Sequence, residues 1–359
     1  MTSGTFSWLH ISDFHVGMNG ASELWIQVKE QFHNDIKKYY EKNGKLDLVI
    51  FSGDLTQKAD PKEFEAVIEE IHELWELFKS LGEPPKLFVI PGNHDLTRPG
   101  ADSALLPALD NWRKRETNIK SLLEKDEHPF RKEIKAAFQN YTSFIEKLSD
   151  NDIPLLIDHH GVIPGDCSGV LETNGLKIGL VGLNTAWSQL ESTKTKGELE
   201  FSHSQLHKAV NQSISKWTQA NDINILVTHH PVNWLTKAAI EEFNDEVNPL
   251  DRFDAHLFGH MHEHDARIQE YSQSSRKRDI QVASLFGLEK VGIDKTDRAH
   301  GFYFAKVIGD SNQLLMWPRI ANKINAGGWR IFADNSALPE GGDCITHTFH
   351  IKSYSKKKP

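Results

Sequence analysis

The sequence predicts an α/β (α+β) protein in which a sheet flanked by helices is extended by antiparallel strands. Buried-looking strands alternate with amphipathic helices as far as about residue 262, which favours a sheet with helices packed on it. The last hundred residues instead give β-rich segments joined by turns such as "NAGGW" and "PEGGD". A charged, helix-like segment at residues 102–150 interrupts the alternation and predicts an insertion over one edge of the site.

The first three strands and two helices have clear sequence signals. "FSWLHISD" (6–13), "LDLVIFSGD" (46–54) and "KLFVIPGNHD" (86–95) read as strands that run into polar residues. Apolar residues at helical spacing predict a helix that stops at Asn43-Gly44. Asp60-Pro61 supplies an N-cap and a first-turn proline for a second helix, which ends near Gly82.

Later segments continue the pattern and set the predicted domain limits. "LKIGLVGLNT" (176–185), "INILVTHHP" (223–231) and "DAHLFGHMH" (254–262) read as strands, with a helix near 204–220. We predict one domain over residues 1–320, with the insertion at 102–150. Residues 321–359 are expected to add C-terminal strands and loops that complete or cap it, followed by a basic tail.

Composition excludes several classes of protein. The chain has 359 residues, 38% hydrophobic and 25% charged, and a net charge of -9, which argues against a broad nonspecific grip on nucleic acid. No apolar run approaches the roughly 18 residues of a membrane helix, so we expect a cytoplasmic protein without a membrane partner. Cys167 and Cys344 are too few for a disulfide framework. The sequence does not predict an oligomeric state.

Five predicted strands end in side chains of the types that can bind metals. These are Asp13, His15, Asp54, Asn93, His94, His229, His260 and His262. Taken singly, each has a structural explanation, such as a turn beside Gly92 for Asn93. Together, nitrogen and oxygen ligands without sulfur suit divalent cations, and they are too many for one tetrahedral ion. Two ions roughly 3.5–4 Å apart that share Asp54 as a ligand would account for so many side chains of these types.

The blocks "SDFH", "SGDLTQ", "PGNHD", "THHP" and "GHMH", in that order, resemble the five signature blocks of the calcineurin-like metallophosphoesterases. The resemblance spans residues 8–262. It implies a four-layer αββα sandwich of two mixed sheets flanked by helices, with the C-terminal strands in the second half of the sandwich.

Carried over residue by residue, the resemblance implies two sets of metal ligands. Asp13, His15, Asp54 and His262 hold one ion, and Asp54, Asn93, His229 and His260 hold the other. His229 is preferred over His230 because the family's ligand lies two residues before the proline.

The resemblance also implies catalytic roles. His94 lies beside the substrate, where it donates a hydrogen bond to a phosphoryl oxygen or protonates the leaving oxygen. Gln57 stands where relatives often carry Asp or His to orient that imidazole. A neutral amide could fix its tautomer but would not stabilise an imidazolium by charge.

The implied reaction is phosphodiester hydrolysis by in-line attack of a metal-bound hydroxide. A nucleotide-like phosphoester is the expected substrate, with a small or cyclic nucleotide favoured. The alternative is a nuclease, or a nucleic-acid-acting effector module of a larger ATPase-linked assembly; a phosphomonoesterase or protein phosphatase ranks lower. Of the cations, Mn²⁺ ranks first, and Zn²⁺, Fe²⁺, Ni²⁺ and Co²⁺ remain open.

Overall fold

Two mixed β-sheets form the centre of the protein. The computed structural model describes residues 4–18, 20–100, 121–125, 127–190, 196–261, 265–270, 276–285, 300–324, 327–349 and 351. Within these ranges each sheet has seven strands. The predicted α/β class and four-layer arrangement are confirmed, as the element bounds and packing below set out.

The first sheet has the order β13-β12-β11-β1-β2-β3, with β14 also paired to β12. Its strands are β1 (Thr5–Ile11), β2 (Leu48–Phe51), β3 (Lys86–Val89), β11 (His300–Ile308), β12 (Gln313–Lys323), β13 (Trp329–Ala333) and β14 (Ile345–Thr348). β1, β2 and β3 run parallel, and the remaining pairs are antiparallel. The predicted antiparallel character of the C-terminal strands is therefore confirmed.

The second sheet has the order β4-β5-β6-β7-β8-β10-β9. Its strands are β4 (His159–His160), β5 (Cys167–Thr173), β6 (Leu176–Leu183), β7 (Ile223–Thr228), β8 (Ala255–Phe258), β9 (Asp265–Glu270) and β10 (Arg276–Gln281). β6, β7, β8 and β10 run parallel in the middle of this sheet, whereas the parallel strands of the first sheet, β1 to β3, form one end of it.

Helices cover the outer face of each sheet. They are α1 (Ala21–Asn43), α2 (Pro61–Leu81), α3 (Pro129–Ala137), α4 (Gln139–Asp150), α5 (Ser204–Val210), α6 (Ile214–Ala220) and α7 (Lys237–Glu242). A 3₁₀ turn at Val232–Trp234 and a π-helical turn at Phe243–Val247 lie beside α7. In the described ranges no helix is both long and apolar enough to cross a membrane.

Strand alternation separates the core into three layers. Trp8 and Ile50 face inward and pack in the cluster between the sheets with Leu180. Their neighbours Leu9 and Val49 face outward and pack with the helices. Because side chains alternate along a strand, each parallel strand of the first sheet contributes to both layers. A third cluster lies between the second sheet and α5 to α7.

Local signals placed the ends of the first helices correctly. Asp60 caps α2 by accepting a hydrogen bond from the main-chain nitrogen of Lys62, and Glu63 completes the capping box. α1 ends at Asn43, before Gly44 at φ 86°. The single helix expected near 204–220 is instead α5 and α6, because Asn211 ends α5 in a left-handed conformation at φ 52°.

The predicted insertion is helical where it is described. Phe144 of α4 packs on Phe64 of α2, with ring centroids 5.2 Å apart, and the Tyr141 hydroxyl donates to the Val89 carbonyl at 3.1 Å. Residues 102–120 of the insertion lie outside the described ranges. The domain division at residue 320 stays a prediction; β12 runs across it.

Candidate metal centre

The predicted metal ligands lie where parallel strands of both sheets end. Asp13 and His15 follow β1, Asp54 follows β2 and Asn93 follows β3, all in the first sheet; His229 follows β7 and His260 follows β8 in the second. Since these carboxyl ends meet at one edge of the sandwich, six of the seven predicted ligands are brought together. The seventh, His262, lies outside the described residues.

Asp54 lies between the histidines contributed by the two sheets. Its Oδ2 atom is 3.2 Å from His229 Nε2 and 3.8 Å from His15 Nε2. Its Oδ1 atom accepts a hydrogen bond from the main-chain nitrogen of His94 at 2.8 Å. One oxygen is thus fixed by the backbone, and the other faces an imidazole on each side. Asp54 also belongs to two groups of potential ligand atoms that lie within 4.8 Å of one another, one of which includes Asp13.

In its neutral form, the ring of His229 presents a lone pair to this cluster. Its Nδ1 atom is 2.9 Å from the main-chain carbonyl of Ser52, and a carbonyl only accepts, so Nδ1 carries the proton. In the neutral ring, Nε2 then has a lone pair, 3.2 Å from Asn93 Oδ1 and 3.3 Å from His260 Nδ1. Acceptor atoms converging in this way fit a bound cation.

Electrostatics point in the same direction. Burial disfavours charge on Asp54, but His229 and His94 outweigh burial and hold the pKa of this carboxyl below its usual range. Burial likewise opposes charge on His229, yet Asp54 raises the pKa of this imidazole to about 9. The cluster therefore attracts positive charge, whether a proton or a metal ion.

The backbone at four predicted ligands is left-handed. Asp13, His15, Asp54 and His260 have φ of 56°, 51°, 54° and 71°. Such values are uncommon for residues other than glycine and cost free energy that the surrounding structure must offset. The main-chain nitrogen of Asp13 donates to the Gly53 carbonyl at 2.9 Å, and that of His15 donates to the Asp54 carbonyl at 3.0 Å. These hydrogen bonds hold the strained turns together.

Two glycines let the ligand loops approach. A Cβ atom on Gly92 would lie 2.1 Å from Asp54 Oδ1, and one on Gly53 would lie 2.7 Å from the main-chain nitrogen of Gly92. Gly53 also has φ 106°, which L-residues rarely adopt. The two loops pass so close to each other that only glycine fits at positions 53 and 92.

His94 lies at the edge of the cluster and is oriented by Gln57 in an unexpected way. Its Nδ1 atom is 2.9 Å from the main-chain carbonyl of Gln57, so Nδ1–H donates and Nε2 is the acceptor of the neutral ring. The side-chain amide, to which sequence analysis gave this task, makes no such contact in the described structure; its Oε1 atom is buried without a hydrogen-bond partner. The His94 ring stands edge-on to His15, with centroids 4.8 Å apart.

Asp95 ties the two central loops together, a role that sequence analysis did not assign. Its carboxylate accepts from the main-chain nitrogens of Gly92 at 2.9 Å, Leu55 at 3.1 Å and Thr56 at 2.9 Å. Burial, with the charge of Asp54, raises the pKa of Asp95 to about 6. An acidic residue next to a predicted catalytic histidine was the available signal, but nothing in the sequence says that its partners are main-chain groups.

Arg98 and His230 are two further residues at the centre without a sequence-based role. Arg98 Nη2 donates to the Asn93 carbonyl at 2.8 Å, and burial lowers the pKa of Arg98 while Asp54 opposes this. In the described chain His229 makes the contact with Asp54, whereas His230 Nδ1 lies 2.9 Å from the Thr185 hydroxyl. His230 also belongs to a group of potential ligand atoms with His229 and His260, so the preference for His229 stays a prediction.

Comparison with known proteins gives the class of the chain. A sequence model of calcineurin-like phosphoesterases matches residues 6–264. The chain therefore belongs to the calcineurin-like phosphoesterase family. A comparison with curated protein sequences gave no match.

Several solved structures are similar to the chain. GAP50, the anchor in the inner membrane complex of Plasmodium, is 13% identical with a TM-score of 0.48, covering 97% of this chain and 89% of that one. A purple acid phosphatase from yellow lupin is 11% identical with a TM-score of 0.43, and the match covers 98% of this chain and 55% of that one. A putative 5'-nucleotidase from Staphylococcus aureus is 11% identical with a TM-score of 0.40, and the match covers 97% of this chain and 55% of that one. These likenesses are distant, and the family assignment stands on the family model.

Proposed function

We propose that the protein is a metal-dependent phosphodiesterase with two divalent cations. The observation that carries this proposal is the position of Asp54, whose Oδ2 atom lies between His15 Nε2 and His229 Nε2 from opposite sheets. One carboxylate oxygen facing a ligand set on each side suits a bridge between two cations.

The proposed ligand sets follow from these positions and from the family resemblance. Asp13, His15, Asp54 and His262 hold one cation, and Asp54, Asn93, His229 and His260 hold the other. The mixed nitrogen and oxygen donors suit Mn²⁺ first, with Zn²⁺, Fe²⁺, Ni²⁺ and Co²⁺ as alternatives. When bound, the two cations acidify a water molecule and neutralise charge on the phosphoryl oxygens.

His94 is the proposed proton donor to the leaving oxygen or hydrogen-bond donor to a phosphoryl oxygen. With Nδ1–H held by the Gln57 carbonyl, proton transfer takes place at Nε2, which must be protonated before it donates.

A small nucleotide remains the preferred substrate over nucleic acid. Residues 276–278 form a basic run, Arg-Lys-Arg, that a nucleic-acid substrate would need to reach. Arg278 is buried, donates to the carbonyls of Asp254 and Thr348, and lies over the Phe349 ring. Lys277 donates to Asn244 Oδ1 at 3.1 Å. Both cations have partners within the fold, which weakens the case for a phosphate-binding patch here.

The test is an assay of Mn²⁺-loaded protein on four substrates: bis-p-nitrophenyl phosphate, p-nitrophenyl phosphate, cyclic nucleotides and single-stranded DNA. We expect turnover of the diester and of a cyclic nucleotide. Cleavage of DNA with a steep salt dependence, and none of cyclic nucleotides, would favour the nuclease instead. Preferred turnover of p-nitrophenyl phosphate would indicate a monoesterase.

Two variants separate metal binding from proton transfer. Asp54→Ala should lose both bound Mn²⁺ and turnover, because it removes the shared ligand. His94→Ala should keep Mn²⁺ and lose about 10²- to 10⁴-fold in kcat. Full Mn²⁺ content and normal rates in Asp54→Ala would contradict the assignment.

A further inference from the structure

An apolar surface lies directly beside the predicted metal ligand His260. Trp234 stands perpendicular to the His260 ring, with ring centroids 4.1 Å apart and an interplanar angle of 88°. Its indole nitrogen donates to Met261 Sδ at 3.3 Å. Met261 is 37% exposed and is among the few large hydrophobic side chains exposed in the described chain. We call Trp234 and Met261 the indole–thioether surface.

The position of this surface is fixed by the backbone. Trp234 ends the 3₁₀ turn that follows Pro231. Its carbonyl accepts from the main-chain nitrogens of Gly197 at 3.0 Å and Leu199 at 3.1 Å, and its own nitrogen donates to the Pro231 carbonyl at 3.0 Å. The ring itself packs against His230, with ring centroids 5.6 Å apart, and against His260, so it loses little conformational freedom when a ligand packs on it.

The chemistry of the surface suits a planar, uncharged group. The indole N–H, the polar group of Trp234, is already used by Met261. What the pair offers is therefore a π-face and a polarisable sulfur, which favour aromatic rings over charged oxygens.

The His260 imidazole connects this surface to the proposed phosphoryl site. His260 Nδ1 lies 3.3 Å from His229 Nε2, within the ligand cluster, and Trp234 packs on the same imidazole. A phosphate bound at the cluster could therefore carry an attached aromatic group onto Trp234, whereas inorganic phosphate could not reach it.

We propose that the indole–thioether surface binds the nucleobase of a nucleotide substrate and so determines specificity. This rests on the proposed phosphoesterase function, since the cluster must bind the phosphate. Trp234 and Met261 are then specificity-determining residues, and the site distinguishes nucleotides from phosphoesters that lack a planar group. A purely structural role for Trp234, that of orienting His260, would change metal content instead.

The experiment compares two ligands that differ by the base alone. Adenosine 5'-monophosphate and ribose 5-phosphate are titrated by calorimetry into Mn²⁺-loaded protein, and bound Mn²⁺ is measured for every sample. We expect adenosine 5'-monophosphate to bind roughly 10-fold more tightly, as base stacking on an aromatic side chain allows. Trp234→Ala should abolish this preference with Mn²⁺ content unchanged, and Trp234→Phe should keep most of it.

The control variant removes an exposed aromatic side chain far from Trp234 in the sequence, whereas Trp234 itself is half-buried. Phe332 of β13 is 42% exposed and does not lie in the loops that carry the predicted metal ligands. Phe332→Ala should therefore leave the affinity for both adenosine 5'-monophosphate and ribose 5-phosphate unchanged. The proposal is overturned if wild-type protein does not prefer the base. It is equally overturned if Trp234→Ala weakens both ligands alike or lowers bound Mn²⁺. Failure of the proposed function is a separate result, since it appears as absent turnover of bis-p-nitrophenyl phosphate by wild-type protein.

Discussion

At the scale of single residues, His94 is oriented by a group that any amino acid at position 57 would supply. The main-chain carbonyl of Gln57 accepts from Nδ1 at 2.9 Å, and the main-chain nitrogen of Gln57 donates to the Val16 carbonyl at 2.9 Å. The sequence could indicate that residue 57 lies near the imidazole, because the family pattern fixes its spacing from Asp54. It could not indicate that the contact uses the backbone, since side-chain identity carries no such information.

Gln57→Ala should therefore retain most of the proposed diesterase activity. The carbonyl that fixes the His94 tautomer is unchanged in this variant, so kcat should stay far above that of His94→Ala. Steady-state kinetics on bis-p-nitrophenyl phosphate check this. A loss in Gln57→Ala as large as that in His94→Ala would return the orienting role to the amide side chain.

Asp166 is a buried carboxyl just before β5 of the second sheet that should make stability depend on pH. Burial raises the pKa of Asp166 to about 7, although it accepts hydrogen bonds from the Asn184 nitrogen and from Gln205. The folded protein thus holds a proton that the unfolded chain, at the ordinary value of 3.8, releases. Its stabilising contribution is complete below about pH 4 and is lost as pH rises through 7.

Asp166→Asn should remove this part of the pH dependence. Between pH 4.5 and 6.5 the free energy of unfolding of the wild type should fall relative to the variant by about 1.4 kcal/mol per pH unit. Urea denaturation across this range measures it, and the difference between the two proteins cancels other titrating groups. Parallel stability curves would show that Asp166 is ionised in the folded state.

At the scale of secondary-structure elements, local signals predicted more than long-range contacts did. The proline and the capping residue at Asp60-Pro61 and the glycine at 82 act on neighbouring backbone, so they predicted both ends of α2. Asn211 broke the helix expected at 204–220 because asparagine tolerates the left-handed conformation, which composition alone does not reveal. The roles of Arg98 and Asp95 depend on contacts with main-chain groups of loops that only the fold brings together.

The loops after β2 and β3 should tolerate no side chain at position 92. In Gly92→Ala the new Cβ would lie 2.1 Å from Asp54 Oδ1, so one loop must move, and with it the carboxylate that we propose as the shared ligand. We expect loss of bound Mn²⁺ and of diesterase activity in a folded protein, checked by elemental analysis and circular dichroism. The control is Ala59→Gly. Ala59 has φ 57°, a left-handed conformation that glycine adopts without strain, so this variant should keep its bound Mn²⁺. Normal Mn²⁺ content in Gly92→Ala would contradict the close approach.

At the scale of the whole molecule, the candidate site joins the two sheets. Asp54 comes from the first sheet and His229 from the second, and both side chains are buried. The sequence predicted this convergence because polar residues followed five strands in a recurring order. It could not supply the packing of the sheets, which depends on residues far apart in the chain, such as Trp8 and Leu180.

Chelation of the proposed cations should destabilise the entire fold. A cation that binds the folded protein stabilises it by about 2.7 kcal/mol at a concentration 100-fold above its Kd. We expect Tm to fall by several degrees when EDTA replaces Mn²⁺, as measured by differential scanning calorimetry. Asp54→Ala should show no such difference, and an equal response in this variant would place the stabilising cation elsewhere.

The central claim is that Asp54 is shared by two cations, and anomalous diffraction from an Mn²⁺-loaded crystal tests it most directly. We predict two anomalous peaks roughly 3.5–4 Å apart, one beside His15 and one beside His229, with Asp54 in contact with both. A single peak, or peaks that lie away from Asp54, would contradict the claim.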